Sequence, residues 1–316
     1  MGHRRRCGRR VRAAERAAGL SGISVAVSAT VSPVRLTVIG SVNLDLVAQA
    51  ERLPAPGETV TGATFASYPG GKGANQALAA QRLGATVALV ARVGTDANAA
   101  AALALLEVGG VNLAACVHDA TAPTGVALIA VDARGENHIV VAPGANAKLA
   151  PADIPATALE GAVLCQLEVP VATLEFVAAQ ATGFLVLNLA PARALPLAII
   201  ERADLLVVNE GEAAFYGEAL HVCRGLVAIT YGSRGAALFA QGREVARAKA
   251  PSITPVDTTG AGDAFTAGLV GALLEQQAPA DALRFACAVG AAAALQAGAQ
   301  PSLPTRAAAL QLLESA

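Results

Sequence analysis

In this 316-residue chain, the run Asp257-Thr258-Thr259-Gly260-Ala261-Gly262-Asp263 has the residue types and spacing best suited to chemistry. Two glycines in three residues, flanked by carboxylates, lead into an apolar stretch with no proline before Pro279. That pattern describes a loop feeding the start of a buried helix. Such a loop turns several backbone N–H groups towards one point, where the helix dipole also favours negative charge. Asp263 falls at or just inside the helix start. There it either caps the helix or takes a proton from a hydroxyl attacking a phosphate held at those N–H groups.

A second glycine-rich stretch, Gly70-Gly71-Lys72-Gly73-Ala74-Asn75-Gln76-Ala77, precedes a helix predicted to reach Leu83 and to close at Gly84. Three glycines in four residues let a ligand approach the backbone closely. The GxxxxGK[ST] spacing of a P-loop is absent, and so is a GxGxxG dinucleotide fingerprint. Neither a P-loop NTPase nor a Rossmann oxidoreductase is supported.

The elements that must position these loops alternate along the chain. Strands are expected at residues 34–39, 86–90, 162–167, 184–187, 205–208 and 226–230. Helices are expected at 97–108 and 170–181, and a hairpin at 124–131 and 137–141. Residues 46–69, with Pro54, Pro56-Gly57 and Pro69, read as a strand-and-turn excursion with a short β piece at 58–61. Valine-rich runs alternating with helices imply a mainly parallel sheet with helices on both faces. Polar residues gather at strand ends: Asn43, Asp45, Glu168, Asn188, Asn209, Glu212 and Ser233. Ligands of open α/β sheets lie beyond the carboxyl ends of strands, so the site is expected along that edge. Asn43 and Asp45 taken alone also suit an Asx-type turn.

Composition narrows the function. A formal net charge of −1 gives no electrostatic case for nucleic acid or an anionic membrane as partner. The five cysteines (Cys7, Cys116, Cys165, Cys223 and Cys287) form no CxxC pair and read as reduced thiols of a cytoplasmic protein. The four histidines form no HExxH motif, which argues against a transition-metal enzyme. Residues 1–33 crowd seven arginines against one acid before a Gly/Ser/Ala/Val stretch. They fit a transit-like segment, a poor signal peptide or a disordered extension, and the extension is the preferred reading. The remainder, 34–316, is expected to be one domain.

Together, the two glycine-rich stretches and the Gly40-Ser41-Val42-Asn43-Leu44-Asp45 start resemble the signatures of the ribokinase-like (PfkB) sugar kinases. The wording leans to the ribose-phosphorylating branch through Asn188-Leu189-Ala190-Pro191-Ala192, Asn209-x-x-Glu212 and Gly298-Ala299-Gln300-Pro301-Ser302. The resemblance implies a three-layer αβα sandwich with a small β-sheet lid from about 46–69 and 122–141. It also implies ATP-dependent phosphorylation of D-ribose at the 5-hydroxyl. A kinase for another furanose and a non-catalytic sugar-binding regulator are the alternatives.

By the same resemblance Asp263 is the catalytic base, and Gly260, Ala261 and Gly262 form the anion hole. Asn43, Asp45, Gly71, Lys72, Asn75 and Glu168 hold the sugar. Asn188, Thr230, Gly232, Ser233 and Gly235 line the nucleotide side together with Gly262, while Asn209 and Glu212 organise Mg²⁺ and phosphate. Asp257, Thr259, Gly298 and Ser302, with Ala293 and Gln296, form a K⁺ site. The lid is implied to make a homodimer contact. The short connection between Glu212 and Leu226 departs from the family pattern.

Overall fold

In the computed structural model, which describes residues 34–315, the chain enters through β1 (Arg35–Ile39). It passes at once into β2 (Asn43–Gln49) and β3 (Thr64–Gly70) of a separate small sheet. Helix α1 (Lys72–Arg82) returns it to the main sheet at β4 (Thr86–Gly94), followed by α2 (Ala97–Val108) and β5 (Asn112–Asp119). The hairpin β6 (Gly125–Val131) and β7 (Asn137–Ala142) completes the small sheet. Strand and helix then alternate through β8 (Ala162–Gln166), α3 (Val171–Gln180), β9 (Leu185–Asn188) and α4 (Leu197–Arg202). The alternation continues with β10 (Leu205–Asn209), α5 (Glu210–Tyr216) and β11 (Leu226–Thr230). A meander, β12 (Ala236–Ala240) and β13 (Arg243–Ala248), precedes α6 (Ala261–Leu274), α7 (Pro279–Ala293) and α8 (Arg306–Glu314).

The main sheet runs β13-β12-β11-β10-β9-β8-β1-β4-β5 and the small one β3-β2-β6-β7. In the main sheet, pairing is parallel except at β11/β12 and β12/β13. Because side chains alternate across a strand, neighbouring residues enter different cores. Leu36, Val38, Leu164, Val186 and Val207 pack with α1, α2, α6 and α7 on one face. Ile39, Val163, Cys165, Leu187 and Val208 pack with α3 and α4 on the other. Burial on both faces is what the uninterrupted Val/Leu runs predict, and it yields the expected three layers.

Strand β1 lies between β4 and β8, so the chain leaves it in one direction and later returns on its other side. Strand order therefore reverses there, and a crevice opens beyond the carboxyl ends of β1 and β8.

Several sequence readings shift. Asn43 and Asp45 lie in β2 itself, paired with Gly70 and Tyr68 of β3, so the Asx-turn alternative is replaced by extended backbone. Residues 58–61 form no strand; the pairing segment is β3, which even includes Pro69. The edge strands β5 and β13 escape the sequence pattern, because their exposed faces interrupt the apolar runs that mark buried strands, and the short inner strand β12 also lies outside the strands read from sequence. The connection after Glu212 holds the rest of α5 and a 3-10 turn, Gly217–Val222. The extension at residues 1–33 lies outside the described residues.

Candidate active site

Strand β1 ends against the start of α1, and glycine permits the approach. A Cβ on Gly73 would stand 2.5 Å from Ser41 N and 2.6 Å from the Gly40 carbonyl carbon, both main-chain atoms. The first turn of α1 is thereby seated on the crevice. Its N-cap, Gly71, supplies no capping side chain. Glu168, just past β8, substitutes from outside the helix, its Oε2 accepting from Lys72 N (3.2 Å) and from Ser41 Oγ. A carboxylate at a helix N-terminus also suits the helix dipole.

The opposite wall is α6. Its N-cap is Gly260 at φ 80°, a left-handed conformation that disfavours side chains, and no side chain caps the helix. Ala261 N donates to Thr258 O (3.2 Å). Among the described residues the N–H groups of Gly262 and Asp263 have no partner. Asp263, 6% exposed, does not cap its own helix. Its Oδ2 accepts from Asn75 Nδ2 (2.9 Å) and its Oδ1 from Gln76 Nε2 (2.8 Å), both on α1. That geometry removes the helix-cap reading of Asp263.

The small sheet brings in the third wall. Asn43 is buried, and its Oδ1 accepts from Asn146 Nδ2 (2.8 Å). The Asn146 amide also bonds both main-chain groups of Val42, accepting from its N (2.9 Å) and donating to its O (3.0 Å). Asp45 is buried nearby. Desolvation, reinforced by the charges of Glu168 and Asp263 and opposed by Lys72, pushes its carboxyl up to about 7. Lys72 shows the converse. Burial alone would lower its ammonium, but Asp263, Glu168, Glu212 and Asp45 outweigh that and raise it. The lysine therefore stays charged, and among the described residues it has no ion pair within 4 Å. Four carboxylates and one ammonium thus share this region through space rather than by direct pairing.

Further along the same sheet edge, Asn209 and Glu212 make a reciprocal capping box at the start of α5. Asn209 Oδ1 accepts from Glu212 N, and Glu212 Oε2 accepts from Asn209 N, each at 2.8 Å. Burial raises the Glu212 carboxyl, against its bond from Asn209 N and the charge of Lys72. Thr230 lies in register with Asn209 on the neighbouring strand. Gly232 and Ser233 form an exposed turn, and Gly235 is buried behind it. Asn188 is not free on this side: its Oδ1 accepts from Gln76 Nε2 (2.9 Å), and its Nδ2 donates to Val207 O (3.1 Å).

Beside the α6 loop, Asp257 accepts from Thr259 N and Gly298 N, each at 2.8 Å. Burial works to raise its carboxyl, but the Thr259 side chain together with the Gly298 and Thr259 N–H groups outweighs that and holds it below the usual range. Ser302 Oγ donates instead to Ala299 O (2.9 Å). Ala293 is buried at the end of α7 and Gln296 is exposed, and neither is hydrogen-bonded to Asp257.

Sequence reasoning gave no role to Ser41, Gln76, Asn146 or Gln166. Ser41 and Gln76 sit inside the two quoted motifs, whereas Asn146 and Gln166 are separated by tens of residues from what they touch.

A family model for "pfkB family carbohydrate kinase" matches residues 34–306. The ribokinase of Bacillus subtilis is 40% identical over 285 residues, covering 86% of this chain and 96% of that protein. The crystal structure of ribokinase from Thermotoga maritima matches with a TM-score of 0.81 at 30% identity, covering 89% of this chain and 99% of that one. Arabidopsis thaliana ribokinase complexed with ribose and ATP matches at 0.79 and 30%, covering 90% and 99%. The family match takes in the small sheet, both glycine-rich loops and Asp263, and on that extent the chain belongs to the pfkB family of carbohydrate kinases.

Proposed function

We propose that this protein transfers the γ-phosphoryl group of ATP to the 5-hydroxyl of D-ribose, giving D-ribose 5-phosphate and ADP. The observation that carries the reading is the seat of Asp263. It lies in the first turn of α6, beside N–H groups without internal partners, and amides of α1 hold it. The first turn of α1 also carries Lys72 and Asn75. A base, an anion-binding helix end and a set of hydroxyl-binding groups therefore meet in one place. The ribokinase relatives, one of them solved with ribose and ATP, support ribose as the sugar.

Asp263 takes the proton from the sugar hydroxyl, whose oxygen then attacks phosphorus. Gly260, Ala261 and Gly262 form the anion hole for the charge that develops on the transferred group, the Ala261 N–H leaving Thr258 O to join it. Phosphoryl transfer depends mainly on such positioning and charge stabilisation. Asn43, Asp45, Gly71, Lys72, Asn75 and Glu168 hold the sugar, and their mix of donors and acceptors suits hydroxyls that do both. Asn188, Thr230, Gly232, Ser233, Gly235 and Gly262 form the nucleotide side.

The donor set also fits Mg²⁺, a hard ion that takes oxygen ligands and keeps several waters. Glu212 uses Oε2 in its cap, leaving Oε1 and the Asn209 region for the ion, which would neutralise phosphate charge. Asp257, Thr259, Gly298 and Ser302, with Ala293 and Gln296, offer oxygens for K⁺, which would steady the anion-hole loop.

The small sheet serves as a lid and as a dimer contact. Phe65, Ile139 and Val140 on it are 70%, 53% and 64% exposed, a larger apolar surface than an unpartnered lid needs. Four described cysteines are unpaired, in keeping with a reducing cytoplasm. Among the described residues no helix is long and apolar enough to cross a membrane.

A coupled ADP-release assay across D-ribose, D-fructose and a nucleoside tests the reading. The highest kcat/KM is expected with D-ribose. Preference for another acceptor would move the substrate, and no ADP release with any of them would make the protein a binder.

A further inference from the structure

We propose that Gln76 is a positioning residue for the Asp263 carboxylate, holding one of its oxygens as an acceptor through an amide chain directed by a main-chain carbonyl. This rests on the reading of Asp263 as the base.

The direction of the chain follows from hydrogen-bond chemistry. Val207 O only accepts, so Asn188 must turn Nδ2 to it (3.1 Å). Asn188 Oδ1 then faces Gln76 and must receive a proton, which fixes Nε2 as the Gln76 atom that meets it (2.9 Å). The second proton of that nitrogen goes to Asp263 Oδ1 (2.8 Å). Gln76 Oε1, facing away, accepts from Gln166 Nε2 (2.6 Å). The chain stops at Gln166 Oε1, which is buried without a partner. It has room there because residue 40 is glycine: a Cβ would stand 2.0 Å from that oxygen. Gln76 and Gln166 are fully buried, and Asn188 and Asp263 nearly so. No solvent therefore substitutes for a lost donor.

An apolar side chain would fill position 76 of a buried helix face without help. It would also leave Asp263 Oδ1 and Asn188 Oδ1 short of a donor, a cost carried by buried polar groups. With Gln76 donating to Oδ1 and Asn75 to Oδ2, both oxygens of the carboxylate are engaged as acceptors. Its plane is also fixed relative to α1, which carries the sugar-binding groups. The charged groups around Asp263 are Asp45 on β2, Lys72 on α1, Glu168 past β8 and Glu212 on α5. None of them is hydrogen-bonded to Gln76.

The test is the pH profile of kcat in Gln76→Glu and Gln166→Glu. In the first, two carboxylates meet at Oδ1 and share a proton, which should move the acid limb up by about one pH unit or more. In the second, the carboxylate draws Gln76 Nε2 towards itself, turning Oε1 to Asp263. That favours protonated Asp263 and shifts the limb in the same direction. Gln76→Met should lower kcat roughly tenfold or more with both KM values nearly kept, because only alignment is lost. A residue that merely fills the core would lower the melting temperature and leave the acid limb in place. That result overturns the proposal.

The unmodified enzyme gives a measurement that does not depend on variants folding. With ¹⁵N-labelled glutamine, the Gln76 side-chain resonance should titrate together with the acid limb, and a flat resonance overturns the proposal. Full activity in Asp263→Asn would instead sink the base assignment, so the two failures are distinct.

Discussion

Binding of the sugar should release a proton near neutral pH, and Asp45 sets how much. Burial, followed by the charges of Glu168 and Asp263, holds this carboxyl at about 7 in the free protein. Near that pH it is therefore about half protonated. Sugar hydroxyls that donate to it favour the charged form, so its value falls on binding. The sign follows. The free state carries more protons than the bound state, hence affinity rises with pH up to about 7 and levels off above it. Roughly half a proton should leave at about pH 7, nearly one at about pH 6 and almost none at about pH 8.5. Below about 7, each pH unit should weaken binding roughly tenfold, or about 1.4 kcal/mol. Titration calorimetry with D-ribose, repeated in two buffers of different ionisation enthalpy, counts the protons directly. Asp45→Asn should bind more weakly and lose the buffer dependence. Heat that is buffer-independent at about pH 6 and 7, or that shows proton uptake, would refute the reasoning.

Asn146→Ala should raise the KM for sugar by roughly one to two decades, since removing a buried partner costs about 1–3 kcal/mol. The KM for ATP should barely move, because among the described residues the Asn146 side chain hydrogen-bonds only to Val42 and Asn43. Gly73→Ala must displace main chain at the β1–α1 contact, and should cost about 1–3 kcal/mol in denaturant unfolding. Shifting the first turn of α1 should also cut kcat by roughly 10²-fold. Replacing K⁺ by tetramethylammonium at fixed ionic strength should lower kcat more than either KM, since the loop ordered through Asp257 serves the transition state. Equal rates in both salts would remove the cation site.

The layered fold was legible because strands buried on both faces must be nearly all apolar, as residues 162–165 and 226–229 are. The edges were not legible: half-exposed Asn112–Asp119 mixes polar and apolar residues as a loop does. Asn43 and Asp45 were readable as site residues but not as strand residues, because β2 is defined by partners some 20 and 80 residues away. The glycine-rich loops announced themselves through spacing, which is a local property. Asn146 and Gln166 did not, because a single amide acquires meaning only from what the fold sets beside it. The capping box of Asn209 and Glu212 carries a further lesson. The same two residues satisfy helix-end chemistry and a proposed ligand site at once, so spacing alone could not separate the two.

Asp263→Asn decides the central claim most directly. The substitution keeps the size of the side chain while removing its capacity to take a proton. The account predicts a kcat reduced by roughly 10²–10⁴-fold, with calorimetric affinity for D-ribose changed only a few-fold and the fold intact by circular dichroism. A variant with near-native kcat would show that Asp263 is not the base.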